Sequence, residues 1–374
     1  MFRIHMLPAQ RGDALLLQYG DPADPFNILI DGGPYSDYKK DSLEEKAWKS
    51  MLDDLAQAGK GLELLLVTHV DSDHIEGAVQ LLLQDPLPFP IKEVWYNGWE
   101  QLKAADLLGP AQGEVLSTLL EERLQDNKPL NWNGAFQGGP AAWRASLAAP
   151  FQPLPLAGGM QLTLVSPTPQ ALVTLRPTWE KEVKKAGLVP GVPVSKAHKA
   201  WPKDLLGAGA VPDVEAWASA KFTGDSSKAN GSSIAFMAEY EGKSCLFAAD
   251  ARPTVLLAGL KSLLKQRGQK ILELDAFKLP HHGSRNNLND SLLKLLDSRR
   301  YLISSNGNTF NHPDSEALAR IALRAAGQPG DPPVICFNYT TGRTEPWDNP
   351  DLKDRYHFET EFPEEGKAGV VIDL

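Results

Sequence analysis

The chain has 374 residues, 42% of them hydrophobic, with a net charge of −9 and two cysteines, Cys245 and Cys336. The hydrophobic fraction is enough for a substantial core. The acidic net charge argues against tight non-specific binding of nucleic acid, which requires many basic residues. No apolar run approaches the roughly 20 residues of a membrane helix, and the N-terminus lacks the pattern of a secretory leader. We therefore expect no membrane association. The two cysteines have no CxxC partner, which favours reduced thiols and a cytoplasmic protein.

The chain begins with three predicted strands separated by turn-rich segments: Phe2 to Leu7, Ala14 to Tyr19 and Asn27 to Asp31. A helix is predicted from Ser42 to Ala58, where Ser42 caps the N-terminus and Glu45 completes a capping box. The apolar run from Leu62 to Val67 then predicts a short buried strand, and Val94 to Tyr96 predicts another.

From Asn97 to about Asp225 the sequence is rich in Pro, Gly, Trp and Ala and shows little periodicity. The regular pieces predicted within it are helices at Glu114 to Asp126 and Val214 to Ala220 and a strand at Met160 to Val165. We interpret this region as an insertion or lid over a site, the alternative being a passive surface decoration.

Regular patterns return after this region, first as a hairpin and then as alternating helices and strands. The hairpin strands are Ser233 to Tyr240 and Lys243 to Ala249; the helices are Pro253 to Gln266, Asp290 to Leu296 and Ser315 to Ala325; the strands are Ala276 to Leu279, Tyr301 to Ser304, Val334 to Asn338 and Val370 to Asp373. Strands plus helices in both halves of the chain predict two packed sheets with helices outside, within a single domain of residues 1–374.

Four side chains of metal-ligand type follow the strand that ends at Val67. They occur in the segment His69-Val70-Asp71-Ser72-Asp73-His74. Imidazole and carboxylate together suit zinc, manganese or iron. The alternative is a polar loop in which Asp71 and Asp73 cap the next helix and the histidines are merely exposed. Because a cap does not require two flanking histidines, we favour a metal site.

Acidic and imidazole groups recur at the ends of other predicted strands. Asp31 precedes two glycines and is either an ordinary turn residue or a carboxylate that orients a ligand histidine. Asp250 leaves an apolar strand, where a carboxylate needs a partner such as a bridging metal. His281 and His282 are adjacent, so on extended backbone one can bind metal while the other contacts substrate.

Two further residues join this set. His312 stands before a proline and a predicted helix, and we interpret it as a site residue because of the other strand-end histidines. Lys278 stands three residues before His281. It is either an ordinary exposed lysine or a buried cation that faces phosphate or replaces part of the metal charge.

Together these segments resemble the metallo-β-lactamase-fold hydrolases, and within them the hydrolase domain of the bacterial DNA-uptake (competence) channel protein. The matching segments, in order, are Gln10 to Ala14, Asp31 to Gly33, His69 to His74, Asn230 to Ser233, Asp250, Lys278 to Ser284 and His312-Pro313. The resemblance implies an α/β (α+β) fold, an αββα sandwich of two mixed β-sheets flanked by helices, with a dinuclear metal site at one edge of the sheets.

The resemblance also implies roles by position. His69 and Asp71 would bind the first metal; Asp73, His74 and His281 would bind the second; and Asp250 would bridge them. Asp71 stands where the wider superfamily usually has a histidine, as in the DNA-uptake subgroup, and a further superfamily histidine expected before Asp250 has no match. The implied cofactors are two divalent ions, zinc or manganese, with iron also compatible.

Such a metal pair would acidify bound water and neutralise the charge that develops on the substrate. Asp73 would then orient that water or accept its proton, and His282 or His312 would stabilise the leaving oxygen.

The preferred prediction is a metal-dependent hydrolase that cleaves a phosphodiester, as a nuclease or phosphodiesterase does. Nucleic acid is favoured by a local basic segment, flanked by Trp179 and Trp201, which can stack on bases. Its basic residues are Arg176, Lys181, Lys184, Lys185, Lys196, Lys199 and Lys203. The alternative without a binding role is a solvent-exposed helix face with buried tryptophans. The other functions are hydrolysis of a small anionic nucleotide, lactone or thioester, and a non-catalytic interaction or regulatory module that retains the fold.

Overall fold

The strands and helices are taken from a computed structural model that describes residues 1–99, 101, 111–125, 130–143, 150–185, 188–190 and 212–374. The strands in these residues are β1 (Phe2–Met6), β2 (Leu15–Asp21), β3 (Asp24–Ile30), β4 (Leu64–Leu66), β5 (Glu93–Trp95), β6 (Asn131–Trp132), β7 (Leu154–Pro155), β8 (Gln161–Ser166), β9 (Ala235–Tyr240), β10 (Lys243–Phe247), β11 (Leu272–Leu274), β12 (Ala276–Lys278), β13 (Leu296–Ser298), β14 (Arg300–Ile303), β15 (Val334–Phe337), β16 (Glu359–Glu361) and β17 (Val370–Asp373). The helices are α1 (Leu43–Gln57), α2 (Ser72–Leu82), α3 (Ala111–Gln125), α4 (Pro169–Lys185), α5 (Val214–Ala218), α6 (Lys228–Gly231), α7 (Pro253–Arg267), α8 (Asp290–Leu293), α9 (Ser315–Ala325) and α10 (Pro350–Tyr356).

Two large mixed sheets are formed by these strands. The first sheet has the order β17-β1-β2-β3-β4-β5-β6, and the second has the order β16-β15-β14-β12-β10-β9-β8-β7. In the first sheet the pairing changes from antiparallel to parallel at β3, and in the second it changes at β10. Both sheets therefore contain a run of parallel strands, whose carboxyl ends can bring side chains together.

Both faces of the central strand β4 of the first sheet are buried, which explains its continuous apolar run. In β4, Leu64 and Leu66 belong to the core shared with the second sheet, whereas Leu65 belongs to a separate core with residues of α1 and α2. All three leucines are fully buried, and burying each stabilises the fold by about 1.5–3 kcal/mol. On the other side α7 packs on the second sheet, with Gly259 against the backbone of Val165. The predicted αββα sandwich is confirmed.

The predicted elements agree with the structure where their patterns are strong. Ser42 caps α1, its Oγ accepting a hydrogen bond from the backbone N–H of Glu45. The predicted helix from Asp290 ends earlier than expected, at Leu293, because β13 begins at Leu296. The Asn97 to Asp225 region contributes β6, β7 and β8 to the sheets as well as α3 and α4, and its role as a lid stays a prediction.

Within the described parts of the chain, none of the helices has the length and apolar character needed to span a bilayer. Cys245 and Cys336 are both buried and form no disulfide, as expected. Burial raises the pKa of both thiols above the usual value, so neither is poised to ionise near neutral pH.

Candidate metal centre

The metal-ligand side chains meet at the carboxyl ends of the parallel strands. Asp31 follows β3, the His69 to His74 segment follows β4, Asp250 follows β10, and His281 and His282 follow β12. The two sheets are joined at this end by a backbone hydrogen bond of 2.9 Å from Ile234 N to Thr68 O. The order of the strands therefore places side chains distant in sequence beside one another.

Asp250 lies at the middle of this cluster. Its carboxylate oxygens are 3.8 Å from Nε2 of His69, 3.4 Å from Nε2 of His74, and 3.6 Å from Nε2 of both His281 and His282. Burial raises the pKa of Asp250, but the surrounding imidazoles lower it by more, so its carboxyl is held well below its usual pKa. An ionised carboxylate is thus enclosed by four nitrogen donors.

Several of these buried atoms have no hydrogen-bond partner: Nε2 of His69, Nε2 of His74, Nε2 of His282 and Oδ1 of Asp250. Each unsatisfied buried group costs about 1–3 kcal/mol, and more when it is charged. Atoms that converge without bonding one another are the arrangement expected where a cation binds between them. The residues present therefore fit a metal.

Two overlapping groups of ligand atoms can be distinguished, one formed by His69, His74 and Asp250 and the other by Asp73, His74 and His282. Within each group the atoms lie within 4.8 Å of one another. The described residues can therefore bind two ions. This grouping places His282 with Asp73 and His74, whereas the assignment by position placed His281 there.

Asp71 lies at the edge of the cluster. Its Oδ2 is 3.5 Å from Nε2 of His69, and 42% of the side chain is exposed. Asp71 is the N-cap residue of α2, but its side chain makes no capping hydrogen bond. The capping alternative for Asp71 is therefore not seen, and its carboxylate is available to the centre.

Asp31 and His74 are joined by a buried hydrogen bond. The carboxylate lies 2.7 Å from Nδ1 of His74 and also accepts hydrogen bonds from the backbone N–H and the hydroxyl of Thr68, at 2.8 and 2.7 Å. Because a carboxylate only accepts, Nδ1 of His74 carries the proton and Nε2 keeps its lone pair for a metal. Burial lowers the pKa of His74, but Asp250 and Asp31 raise it by more, so a metal that binds Nε2 would displace a proton from it. This contact is the one predicted for a carboxylate that orients a ligand histidine.

Left-handed backbone is concentrated around the centre. Asp31, Ala249, His281 and His282 have φ values of 57°, 46°, 48° and 54°. Each such non-glycine residue costs about 1–3 kcal/mol and is retained where the surrounding structure holds it. One of these segments is fixed by a hydrogen bond of 2.9 Å from His281 N to Ala249 O. These turns direct the side chains of Asp31, His281 and His282 toward the cluster around Asp250.

His281 and His312 form the more accessible side of the cluster. The side chain of His281 is 24% exposed and that of His312 is 11% exposed, whereas those of His69, His74 and His282 are fully buried. The rings of His281 and His312 are 5.1 Å apart. Burial lowers the pKa of His312, so it is mainly neutral at pH 7.

Lys278 lies behind the centre. Only 1% of its side chain is exposed, and its Nζ is 2.8 Å from Oδ2 of Asp13, which is 2% exposed. This placement corrects the expectation that Lys278 faces a substrate phosphate, because the ammonium is enclosed and already paired. Asp13, whose contact with Lys278 the sequence does not predict, belongs to the Gln10 to Ala14 segment that carries the resemblance.

The basic segment is described only in part. Arg176, Lys181, Lys184 and Lys185 lie on α4, whereas Lys196, Lys199, Trp201 and Lys203 lie outside the described residues. Trp179 is fully buried and donates a hydrogen bond of 3.1 Å from Nε1 to Oε1 of Glu114. The suggestion that Trp179 stacks on bases is therefore wrong, because its ring has no accessible face.

No family model matches the chain, and no curated protein matches it. Among solved structures, 22 chains match. One is a mutant of CmlA beta-hydroxylase, with a TM-score of 0.39 and 11% sequence identity over 100% of this chain and 54% of that chain. This chain thus spans about half the length of that protein. The sandwich architecture and the ligand groups follow from the topology and distances given above and do not depend on this match.

Proposed function

We propose that the protein is a metal-dependent hydrolase whose preferred substrate is a phosphodiester. The observation that carries the proposal is the set of buried imidazole and carboxylate atoms around Asp250 that converge without bonding one another. Residues His69, Asp71 and Asp250 would hold one ion, and Asp73, His74 and His282 would hold the other, since the single free nitrogen of His74 can bind only one of them.

Charge balance supports two divalent ions. The carboxylates of Asp31, Asp71, Asp73 and Asp250 converge on the centre, while the nearby Asp13 is neutralised by Lys278. The charges of Asp31, Asp73 and Asp250 are buried and that of Asp71 is partly exposed; burying uncompensated charge is costly, so this set favours positive charge among its members. Two divalent cations with neutral histidines provide it.

When bound, metals of this type supply an activated water near neutral pH and stabilise developing negative charge. Asp73 is 7% exposed and belongs to only one ligand group, so its carboxylate can orient that water and accept its proton. His312 belongs to neither group and lies beside His281, so it would stabilise the leaving oxygen. His282 was an alternative for that task, but its Nε2 faces Asp73 and Asp250 instead.

An anionic substrate is supported by Arg252. This half-buried arginine stands two residues after Asp250; its buried Nε has no hydrogen-bond partner, and it forms no ion pair with the described residues. Its guanidinium lies against Gly231, where an added Cβ would be 2.7 Å from Nε. The preceding residue, Asn230, has its Nδ2 3.3 Å from Nδ1 of His281. A partly desolvated guanidinium without a counter-ion favours a phosphate-type ligand nearby.

Among phosphodiesters, nucleic acid is supported by the resemblance to the DNA-uptake hydrolase domain and by the exposed residues Lys181, Lys184 and Lys185 of α4. A small cyclic or signalling nucleotide is the second candidate, because Arg252 and the net charge of −9 suit a compact anion better than a long polyanion.

The function is tested by turnover of bis-p-nitrophenyl phosphate by metal-free protein, alone and with zinc, manganese or iron(II) added. Single-stranded DNA, duplex DNA, a cyclic dinucleotide, a lactone and a thioester form the substrate panel. Metal-dependent cleavage of phosphodiesters but not of the lactone or thioester is the expected result. Turnover confined to the lactone or thioester would overturn the phosphodiester proposal, and no turnover of any substrate would favour the non-catalytic module.

Replacing Arg252 by methionine should raise KM for a phosphodiester by about 10-fold or more, the loss expected for a charge-assisted hydrogen bond. Steady-state kinetics should show little change in kcat, and metal content should be unchanged, since Arg252 holds no metal. Arg300→Met is the matched control, because Arg300 is also half-buried but stands at the start of β14, the end away from the centre. Equal KM values for the Arg252 variant and the wild type would remove Arg252 from substrate binding.

A further inference from the structure

A buried row of charged and polar groups stands behind His282. Nζ of Lys278 is 2.8 Å from Oδ2 of Asp13, and Oδ1 of Asp13 is 3.5 Å from Nδ1 of His282. All three side chains are enclosed, with exposures of 1%, 2% and 0%. The row ends at Nε2 of His282, which is 3.8 Å from Asp73 and 3.6 Å from Asp250.

The surroundings of His282 fix which nitrogen carries the proton. Nδ1 lies 3.0 Å from the backbone oxygen of Ser304 as well as beside the carboxylate of Asp13. Both neighbours are acceptors, so Nδ1 is the protonated nitrogen and Nε2 keeps the lone pair that a metal requires. Oδ1 of Asp13 has no hydrogen-bond partner, and its negative charge, 3.5 Å from Nδ1 of His282, favours the proton on that nitrogen electrostatically.

Asp13 is itself held firmly from both sheets. Its backbone N–H donates to Asp73 O at 3.2 Å, and its carbonyl accepts from Gly33 N at 2.8 Å. The neighbouring Gly12 O accepts a 2.8 Å hydrogen bond from the hydroxyl of Ser304, the same residue whose carbonyl contacts His282. Lys278, on β12 of the second sheet, completes the anchoring through its ion pair. The loop between β1 and β2 thus reaches the back of the centre.

We propose that Asp13 and Lys278 are positioning residues that hold the ring of His282 in place for metal binding. The inference rests on the proposed metal-dependent function. Asp13 acts on Nδ1 of His282, and Lys278 neutralises and orients Asp13. His282 thus has a buried carboxylate 3.5 Å from its Nδ1, a longer contact than the 2.7 Å hydrogen bond between Asp31 and His74. Loss of such a supporting partner typically lowers metal affinity by about 10–100-fold.

The test removes the pair as a unit, because removing one partner leaves a buried unpaired charge and endangers the fold. The variant is Asp13→Leu with Lys278→Met, side chains of similar size without charge. Replacing a buried ion pair by apolar side chains is often neutral or stabilising, so the melting temperature should be kept. The matched control is Glu239→Leu with Arg267→Met, which removes an ion pair between β9 and α7 outside the ligand groups.

The readouts are the dissociation constant for zinc and the visible absorption spectrum of the cobalt(II)-substituted protein. We expect the Asp13/Lys278 variant to bind the weaker of its two ions about 10–100-fold less tightly and to show an altered cobalt spectrum. The control variant should match the wild type. In a His282→Ala background, removing the pair should change the affinity by less than about twofold, because its target is already absent.

An unchanged zinc affinity and cobalt spectrum in a folded variant would overturn the inference. The ion pair would then only stabilise the packing of one sheet against the other. An equal loss with and without His282 would also overturn it. Absence of metal binding by the wild type would overturn both this inference and the proposed function. Metal binding without turnover of phosphodiesters would count against the proposed substrate alone, while the affinities would still decide the role of the pair.

Discussion

Replacing Asp250 by alanine is expected to abolish metal binding and hydrolysis while leaving the protein folded. The carboxylate lies within 4 Å of four imidazoles, so no other single side chain touches as much of the centre. We expect metal affinity to fall by more than about 100-fold, beyond the loss typical of a supporting residue. Elemental analysis after dialysis, with kcat measured on the same sample, checks this.

The fold should survive because the packed cores of both sheets are untouched, although alanine removes the favourable interaction between this carboxylate and the surrounding imidazoles. The metal-free variant should melt at a somewhat lower temperature than the wild type but still in one cooperative transition. Asp275→Asn is the control: Asp275 precedes β12 but bonds Ser244 N and Lys243 instead of the centre. An Asp250→Ala protein that keeps both its metal and its activity would contradict the proposed centre.

Gly77→Ala is expected to destabilise the protein by about 3 kcal/mol, although alanine is the better helix former by about 1 kcal/mol. Gly77 lies inside α2, and an added Cβ would be 2.1 Å from Gly32 O and 2.8 Å from Gly32 Cα. Both contacts are with backbone, so no side-chain rotation relieves them. Since α2 carries Asp73 and His74, its displacement should also lower activity.

Urea denaturation measures this change in the free energy of unfolding. Gly342→Ala is the control, because nothing lies within 4 Å of an added Cβ there, and it should change stability by no more than about 0.5 kcal/mol. If Gly77→Ala were stabilising instead, helix propensity would dominate and the close approach of Gly32 to α2 would not be required.

The part of the centre that could be predicted is the part carried by local sequence. A buried strand followed directly by His69, Asp71, Asp73 and His74 predicts metal ligands. A carboxylate at the end of an apolar strand, as at Asp250, predicts a bound cation or another charge partner. Their meeting in one site is what the resemblance implies, and the carboxyl ends of the parallel strands account for it.

The choice between His281 and His282 could not be made in this way. On extended backbone neighbouring side chains point to opposite sides, which predicts that only one of two adjacent histidines faces the metal. Both residues instead have left-handed φ values within a turn, and the turn buries His282 among the ligands while leaving His281 partly exposed. Such a conformation is imposed by tertiary packing and has no signal in two adjacent histidines.

Contacts between residues distant in the sequence could not be predicted either. Asp13 and Lys278 are separated by 265 positions, so no local pattern links them. In α4 the internal Pro177 obscured the helical pattern, and β11 and β13 have only three residues each. These elements exist because tertiary contacts stabilise segments whose own propensity is weak.

The most direct test of the metal centre is the number of metal ions bound per chain by the wild-type protein, measured by elemental analysis after dialysis against metal-free buffer and titration with zinc or manganese. The structure predicts about two ions per chain, one for each ligand group, with both lost in Asp250→Ala. A wild-type protein that binds no ion, or whose ions are retained when Asp250 is replaced, would contradict the account.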